Sequence, residues 1–166
     1  GSITPLHVAC RNEDIACAKE LLHHGALTDV VDMHGWTPLI TLCHVFGGAF
    51  SMKILKHMKR CFSKHSVKHQ TNAGNTALHH LSYRWARAGT GLDAAFMRAL
   101  DTLVQCGANV NQGNNSEQTV LHYAAKAGEA VDAVAALLDR GADPLCVDKN
   151  GKSAMAVAEE NSHLAV

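Results

Sequence analysis

The middle of this chain has no acid. Between Asp32 and Asp93 there is neither an aspartate nor a glutamate, whereas Lys53, Lys56, Lys59, Arg60, Lys64, Lys68, Arg84 and Arg87 all fall inside that stretch. The formal net charge of zero conceals the asymmetry, because the central block carries +8 against −3 for residues 1–32 and −5 for residues 93–166. A block of one sign concentrates partners of the opposite sign, so it points to an anionic partner. Seven of the 12 histidines also lie in the block, so its positive charge grows below neutral pH. For Lys53, Lys56 and Lys59 the plainer reading is solvation of an outer helix face.

Other absences narrow the function further. Uninterrupted apolar runs long enough to span a bilayer are missing, and so is a secretory signal. Gly47-Gly48 and Gly89-Thr90-Gly91 are isolated and lack the following Lys-Ser/Thr of a phosphate-binding loop. No carboxylate pair stands out by its spacing, and no Ser, Cys or His calls for a catalytic role, so no enzyme activity and no catalytic residue is expected. His57 with Cys61 and His65 with His69 have helical i, i+4 spacing and offer four potential zinc donors. The spacing of known zinc motifs is absent, so neither a metal nor a cofactor is expected. Six cysteines without a small disulfide framework favour a reducing compartment, cytoplasmic or nuclear.

What the chain does have is repetition. Thr4-Pro5-Leu6-His7 returns as Thr37-Pro38-Leu39-Ile40, Thr76-Ala77-Leu78-His79, Thr119-Val120-Leu121-His122 and, more weakly, Ser153-Ala154-Met155-Ala156. A second phrase keeps phase with the first: Leu21-Leu22-His23-His24-Gly25-Ala26, then Leu103 to Asn111, then Leu137-Leu138-Asp139-Arg140-Gly141-Ala142-Asp143. Together the two phrases resemble the ankyrin repeat over nearly the whole chain. The resemblance implies an all-α ankyrin-repeat solenoid of about five stacked helix-turn-helix units, read as about 1–31, 32–70, 71–113, 114–147 and 148–166. The chain starts inside a unit and stops after one helix of the last, so it reads as a single domain that is a fragment of a longer protein.

The repeat residues explain the helices. Threonine caps each first helix, and proline at the first helical position gives up only an N–H that has no partner there. Gly25, Gly107 and Gly141 end the second helices. Cys10 and Cys43 each follow the repeat threonine by six residues, where the family places a small buried side chain. His7, His79 and His122 share one repeat position, at which the resemblance implies an imidazole bonded to turn backbone. The threonine spacings are 33, 39, 43 and 34. Surplus residues therefore lie in repeat two, around Arg60 to Gln70, and in repeat three, between its helices around Tyr83 to Asp93, where an elongated first helix, a Gly-centred loop and a second helix from Leu92 or Asp93 are predicted.

Partners of ankyrin repeats lie mostly against the concave surface of turn tips and first-helix ends. Carried onto this chain, that surface includes Trp36, His44, Tyr83, Arg84 and Lys126. The family's glycine after the first helix is replaced by Glu13, Phe46 and Trp85 and kept only as Gly128. Trp36, His44, Phe46, Tyr83, Arg84, Trp85, Arg87 and Lys126 are therefore the expected partner-binding residues, since binding energy concentrates in aromatic and arginine anchors. The alternative for Phe46 and Trp85 is an inward auxiliary core. The expected function is recognition of a protein segment, acidic or aromatic-containing, on the concave face of repeats two to four. The competing reading is an anionic surface, nucleic acid or phosphoinositide, held by the basic block. Asn111 resembles ankyrin asparagines modified by an oxygen-sensing hydroxylase, against the plain reading of a turn asparagine.

Overall fold

The computed structural model describes residues 2–61, 64–88, 94–126 and 131–163. Each repeat contributes a helical pair: α1 (Pro5–Arg11) with α2 (Ile15–His23), α3 (Pro38–Val45) with α4 (Ala49–Met58), α6 (Ala77–Ala88) with α7 (Ala94–Gln105), and α8 (Val120–Ala125) with α9 (Val131–Leu138); α10 (Ala154–His163) follows alone. The first helices stack in series, α1 on α3, α3 on α6, α6 on α8 and α8 on α10, while α2 packs on α4 and α4 on α7 in a second layer. Among the described residues the only β pairing is one antiparallel bridge, Val147 to Ser153, within a turn. The fold is an all-α ankyrin solenoid, as the repeats predict.

The core lies between the two layers. Leu6, Leu39, Leu78 and Leu121 recur at one repeat position and are all buried, as are Cys10 and Cys43. Burial pushes the Cys10 thiol up to about 12 and the Cys43 thiol higher still, so both stay protonated and behave as small apolar groups. A single unit of this size leaves its apolar stripe in water, and stacking on a neighbour removes it.

Histidines connect the units. The Nδ1 atoms of His7, His79 and His122 lie 3.2, 3.1 and 3.2 Å from the amides of Thr4, Thr76 and Thr119 and accept from them. That leaves the proton on Nε2, which donates to a turn carbonyl of the following repeat: Trp36 at 2.9 Å, Gln118 at 2.9 Å and Lys152 at 3.0 Å. In repeat two the position is Ile40, fully buried, and Thr37 caps α3 directly by accepting from the Ile40 amide at 3.3 Å. The turns themselves are joined edge to edge, since Asn72 N donates to His34 O, Asn115 N to Ala73 O and Lys149 N to Ser116 O.

The repeat-two surplus forms a 3-10 turn (Lys59–Cys61) and a short helix, α5 (Lys64–Lys68). Thr28 Oγ1 donates to Cys61 O at 3.1 Å, and His69 Nε2 meets Gly35 O at 2.8 Å. In repeat three the surplus lengthens α6 to 12 residues, against 7 for α1 and 8 for α3. The predicted Gly-centred loop lies outside the described residues, and α7 is helical from Ala94.

Candidate functional site

Periodicity along α6 sorts its side chains into two groups. His80, Tyr83 and Arg84 are related by i, i+3 and i+4 and share one face, whereas Leu81 and Trp85, also i and i+4, share another. The first group meets α3 and the turn before it. The indole of Trp36 packs against His44 at 4.8 Å and His80 at 4.7 Å between ring centroids. His44 stacks on Tyr83 at 6.2 Å with an interplanar angle of 6°. Tyr83 is 38% exposed, Arg84, Trp36 and His44 are half-buried, and Lys126 is exposed at the end of α8.

The second group makes the correction. Phe46, expected beside the groove, is only 1% exposed, and its ring packs on Phe96 of α7 at 5.0 Å. Trp85 is half-buried and stacks on the same Phe96 ring, 5.7 Å between centroids with an interplanar angle of 22°. Phe46 is thus a core side chain with no surface to give a partner, and Trp85 spends much of its ring on the core. The reason is the missing glycine: a large apolar residue where the chain leaves α3 is driven into the space between α3, α4 and the long α6–α7 pair. Arg87 belongs to α6, but its side chain lies outside the described residues.

The same exit position in repeat one is Glu13, which keeps the left-handed backbone that glycine favours, with φ 53°. Its carboxylate accepts from the Gly47 amide at 3.0 Å and from the hydroxyl of buried Ser51 on α4.

A recess of about 220 Å³ opens between the first helices of repeats two, three and four, lined by His44, Asn75, His79, His80, Tyr83 and Tyr123. Its lining is imidazole, phenol and carboxamide, with no carboxylate. Asn75 Oδ1 accepts from Asn114 Nδ2 at 2.9 Å and from the Tyr123 hydroxyl at 3.3 Å, which ties the turns to α8. His44 and His80 bring their Nδ1 atoms to 3.2 Å of each other. Burial, then the charges of His44 and His79, pushes His80 down to about 4. His44 is held below the usual histidine range by burial and by the Arg84 guanidinium, and His79 chiefly by burial. All three imidazoles are therefore neutral at pH 7.

His80 is the residue that sequence reading passes over. Its helical spacing from Tyr83 and Arg84 is visible in the sequence, but its partner His44 is 36 residues away in another repeat. Lys53, Lys56, Lys59 and Arg60 are exposed on or beyond α4, whose Met52, Ile54, Leu55 and Met58 face the core. Lys68 is exposed on α5. Among the described residues no three His, Cys, Asp or Glu side chains converge as metal ligands, and His69 Nε2 lies 2.8 Å from the Gly35 carbonyl. All six cysteines are free thiols. No helix among the described residues is long and apolar enough to cross a membrane.

Comparison with known families agrees with this geometry at both ends of the chain. The family model of the ankyrin repeat matches residues 3–33, and that of ankyrin repeats in many copies matches residues 103–158. The matched spans hold the α1–α2 pair and the stretch from the end of α7 into the first half of α10. With the repeat phrases, the stacked helical pairs and both matches in agreement, the chain belongs to the ankyrin-repeat family.

Proposed function

We propose that this protein recognises a partner protein through the concave groove of repeats two to four, and that the bound segment is acidic. Ankyrin repeats are in general protein-interaction modules. The observation that carries the finer reading is the recess beside Tyr83 and Arg84: a concavity lined by rings and amides, with no carboxylate in its wall and a guanidinium at its edge. Aromatic and arginine side chains held on a packed helix lose little freedom on binding, so they suit the role of anchors. Trp36, His44, Tyr83, Arg84 and Lys126 remain the binding set, Arg87 stays in it by sequence, and Phe46 and Trp85 support it from within. The work is display rather than catalysis, in the cytoplasm or nucleus, by one array whose five-unit division follows the threonine phrase.

The second reading, a phosphate-bearing surface held by the basic block, draws on the exposed Lys53, Lys56, Lys59, Arg60 and Lys68. Affinity capture from a cell lysate followed by mass spectrometry separates the two. Tyr83→Ala with Arg84→Glu is expected to release the wild-type partners, and Lys53→Glu with Lys56→Glu to retain them. The reverse ranking, with binding that collapses as salt rises, moves the site to the basic block. Asn111 modification is a separate proposal: its side chain is exposed, though its amide donates to Gly141 O at 2.9 Å and its oxygen accepts from Asp143 N at 2.8 Å. Mass spectrometry after hydroxylase treatment tests it.

A further inference from the structure

The His44–His80 contact has an incomplete hydrogen-bond account. In a neutral pair only one ring donates through Nδ1, so one outward Nε2 carries a hydrogen and the other is a bare acceptor. His80 is 9% exposed, lines the recess, and its Nε2 has no partner. A buried polar atom left unpaired keeps its full desolvation penalty, so the arrangement favours an occupant that supplies a polar atom. Adding one proton to the pair keeps the Nδ1–H···Nδ1 bond and turns both Nε2 atoms into donors, with one positive charge between the rings. A carboxylate in the recess would then meet an N–H donor at His80 Nε2 with a positive charge beside it.

We propose that the His44–His80 pair is the acid-recognition element of the groove: an aspartate or glutamate side chain of the partner enters the recess, and the pair takes up one proton from solvent as the carboxylate docks. This rests on the reading of the groove as the site for an acidic segment and deepens it. The surroundings agree on sign. On α6 the pair is faced by His79, Tyr83 and Arg84, and on α8 by Tyr123, with His122 bonded to Lys152 O. From the α1 side His7 and Arg11 border a second recess shared with Trp36, and Asp32 there already accepts from the amides of His34 and Trp36 at 2.8 and 2.9 Å. The buried faces of α4 and α7 carry Ser51 and apolar side chains. Among the described residues no carboxylate lines the recess with the pair, and Glu13, which reaches the exit of α3 from repeat one, is already taken up by Gly47 N and the Ser51 hydroxyl. The depressed proton affinity of both rings in the free protein then has a use: the empty site is uncharged at pH 7 and becomes cationic only when an anion arrives.

The test uses an acetylated, amidated hexa-aspartate peptide, with hexa-asparagine as control, at constant ionic strength. Coupled uptake of one proton is expected to tighten hexa-aspartate binding about tenfold or more from pH 7.5 to pH 5.5. Calorimetry in buffers of different ionisation enthalpy is expected to show net proton uptake near pH 6.5. His80→Gln is expected to remove most of that pH dependence, and His57→Gln, on α4, to leave it intact. Long-range 1H–15N NMR of the wild-type imidazoles gives the same answer without a variant, by showing which rings become protonated in the complex. If hexa-aspartate binds with the pH dependence unchanged in His80→Gln, or with His44 and His80 still neutral by NMR, the proton-coupled pair is overturned while the acidic groove stands. If hexa-aspartate fails to bind at either pH, the groove reading falls and this inference with it.

Discussion

The Glu13 carboxylate accepts the Gly47 amide at 3.0 Å, so the exit from the first helix of repeat one holds the exit from the first helix of repeat two. The carboxylate also receives the Ser51 hydroxyl, at the start of α4. Glu13→Ala removes both bonds and keeps the left-handed backbone, and is expected to cost about 1–2 kcal/mol in urea unfolding. Glu13→Gly relieves the backbone at the same time and is expected to cost less.

Glu117 has φ 60° at the turn position that Gly35, Gly74 and Gly151 occupy in the other repeats. A side chain in that region is strained, and glycine is not. Glu117→Gly is expected to raise stability by about 1 kcal/mol, read as a higher urea midpoint with an unchanged slope. No change in the midpoint would mean that the turn had already relaxed around the glutamate.

Phe46 tests the difference between anchor and core. Because its ring is buried against Phe96, Phe46→Ala is expected to lower unfolding stability by about 3–5 kcal/mol, the range for emptying an aromatic site in a core. A fully stable Phe46→Ala that binds poorly would return the residue to the groove.

Acid should weaken the fold through His80. A folded-state pKa of about 4 lies below the unfolded histidine value of 6.5, so the stabilising contribution is present above pH 6.5 and is lost as pH falls toward 4. Over that interval the loss from this residue is about 3 kcal/mol, and His44 and His79 shift in the same direction. Urea unfolding between pH 7 and pH 4 is expected to show this slope, reduced in His80→Gln.

In the groove, Tyr83→Ala with Arg84→Glu is expected to cost about 2 kcal/mol or more in partner affinity, the scale of central anchors. Lys53→Glu with Lys56→Glu should cost about 1 kcal/mol or less, since exposed charges are screened by water and salt. Titration of a captured partner against both pairs of variants measures the ranking.

Local chemistry settled the architecture in advance. Threonine before proline, leucine at the buried repeat position and Leu-Leu before Gly-Ala act over a few residues, so their recurrence is enough to place the paired repeat helices, whereas α5 and the 3-10 turn before it lie in a stretch legible only as surplus. The same locality located the two insertions and identified Cys10 and Cys43 as packing residues. Which way a side chain faces at a repeat junction depends on what the neighbouring unit places there, and that contact spans tens of residues. The ring of Phe96, 50 positions away, makes Phe46 a core residue; Ile40 in the place of a histidine breaks the relay that His7, His79 and His122 keep; and His44 finds His80 only because α3 lies against α6. Sequence alone determined the repeated frame, because short-range hydrogen bonds and periodic burial build it. Only the tertiary structure decided which aromatic and imidazole rings meet, because packing between units is a property of two surfaces at once.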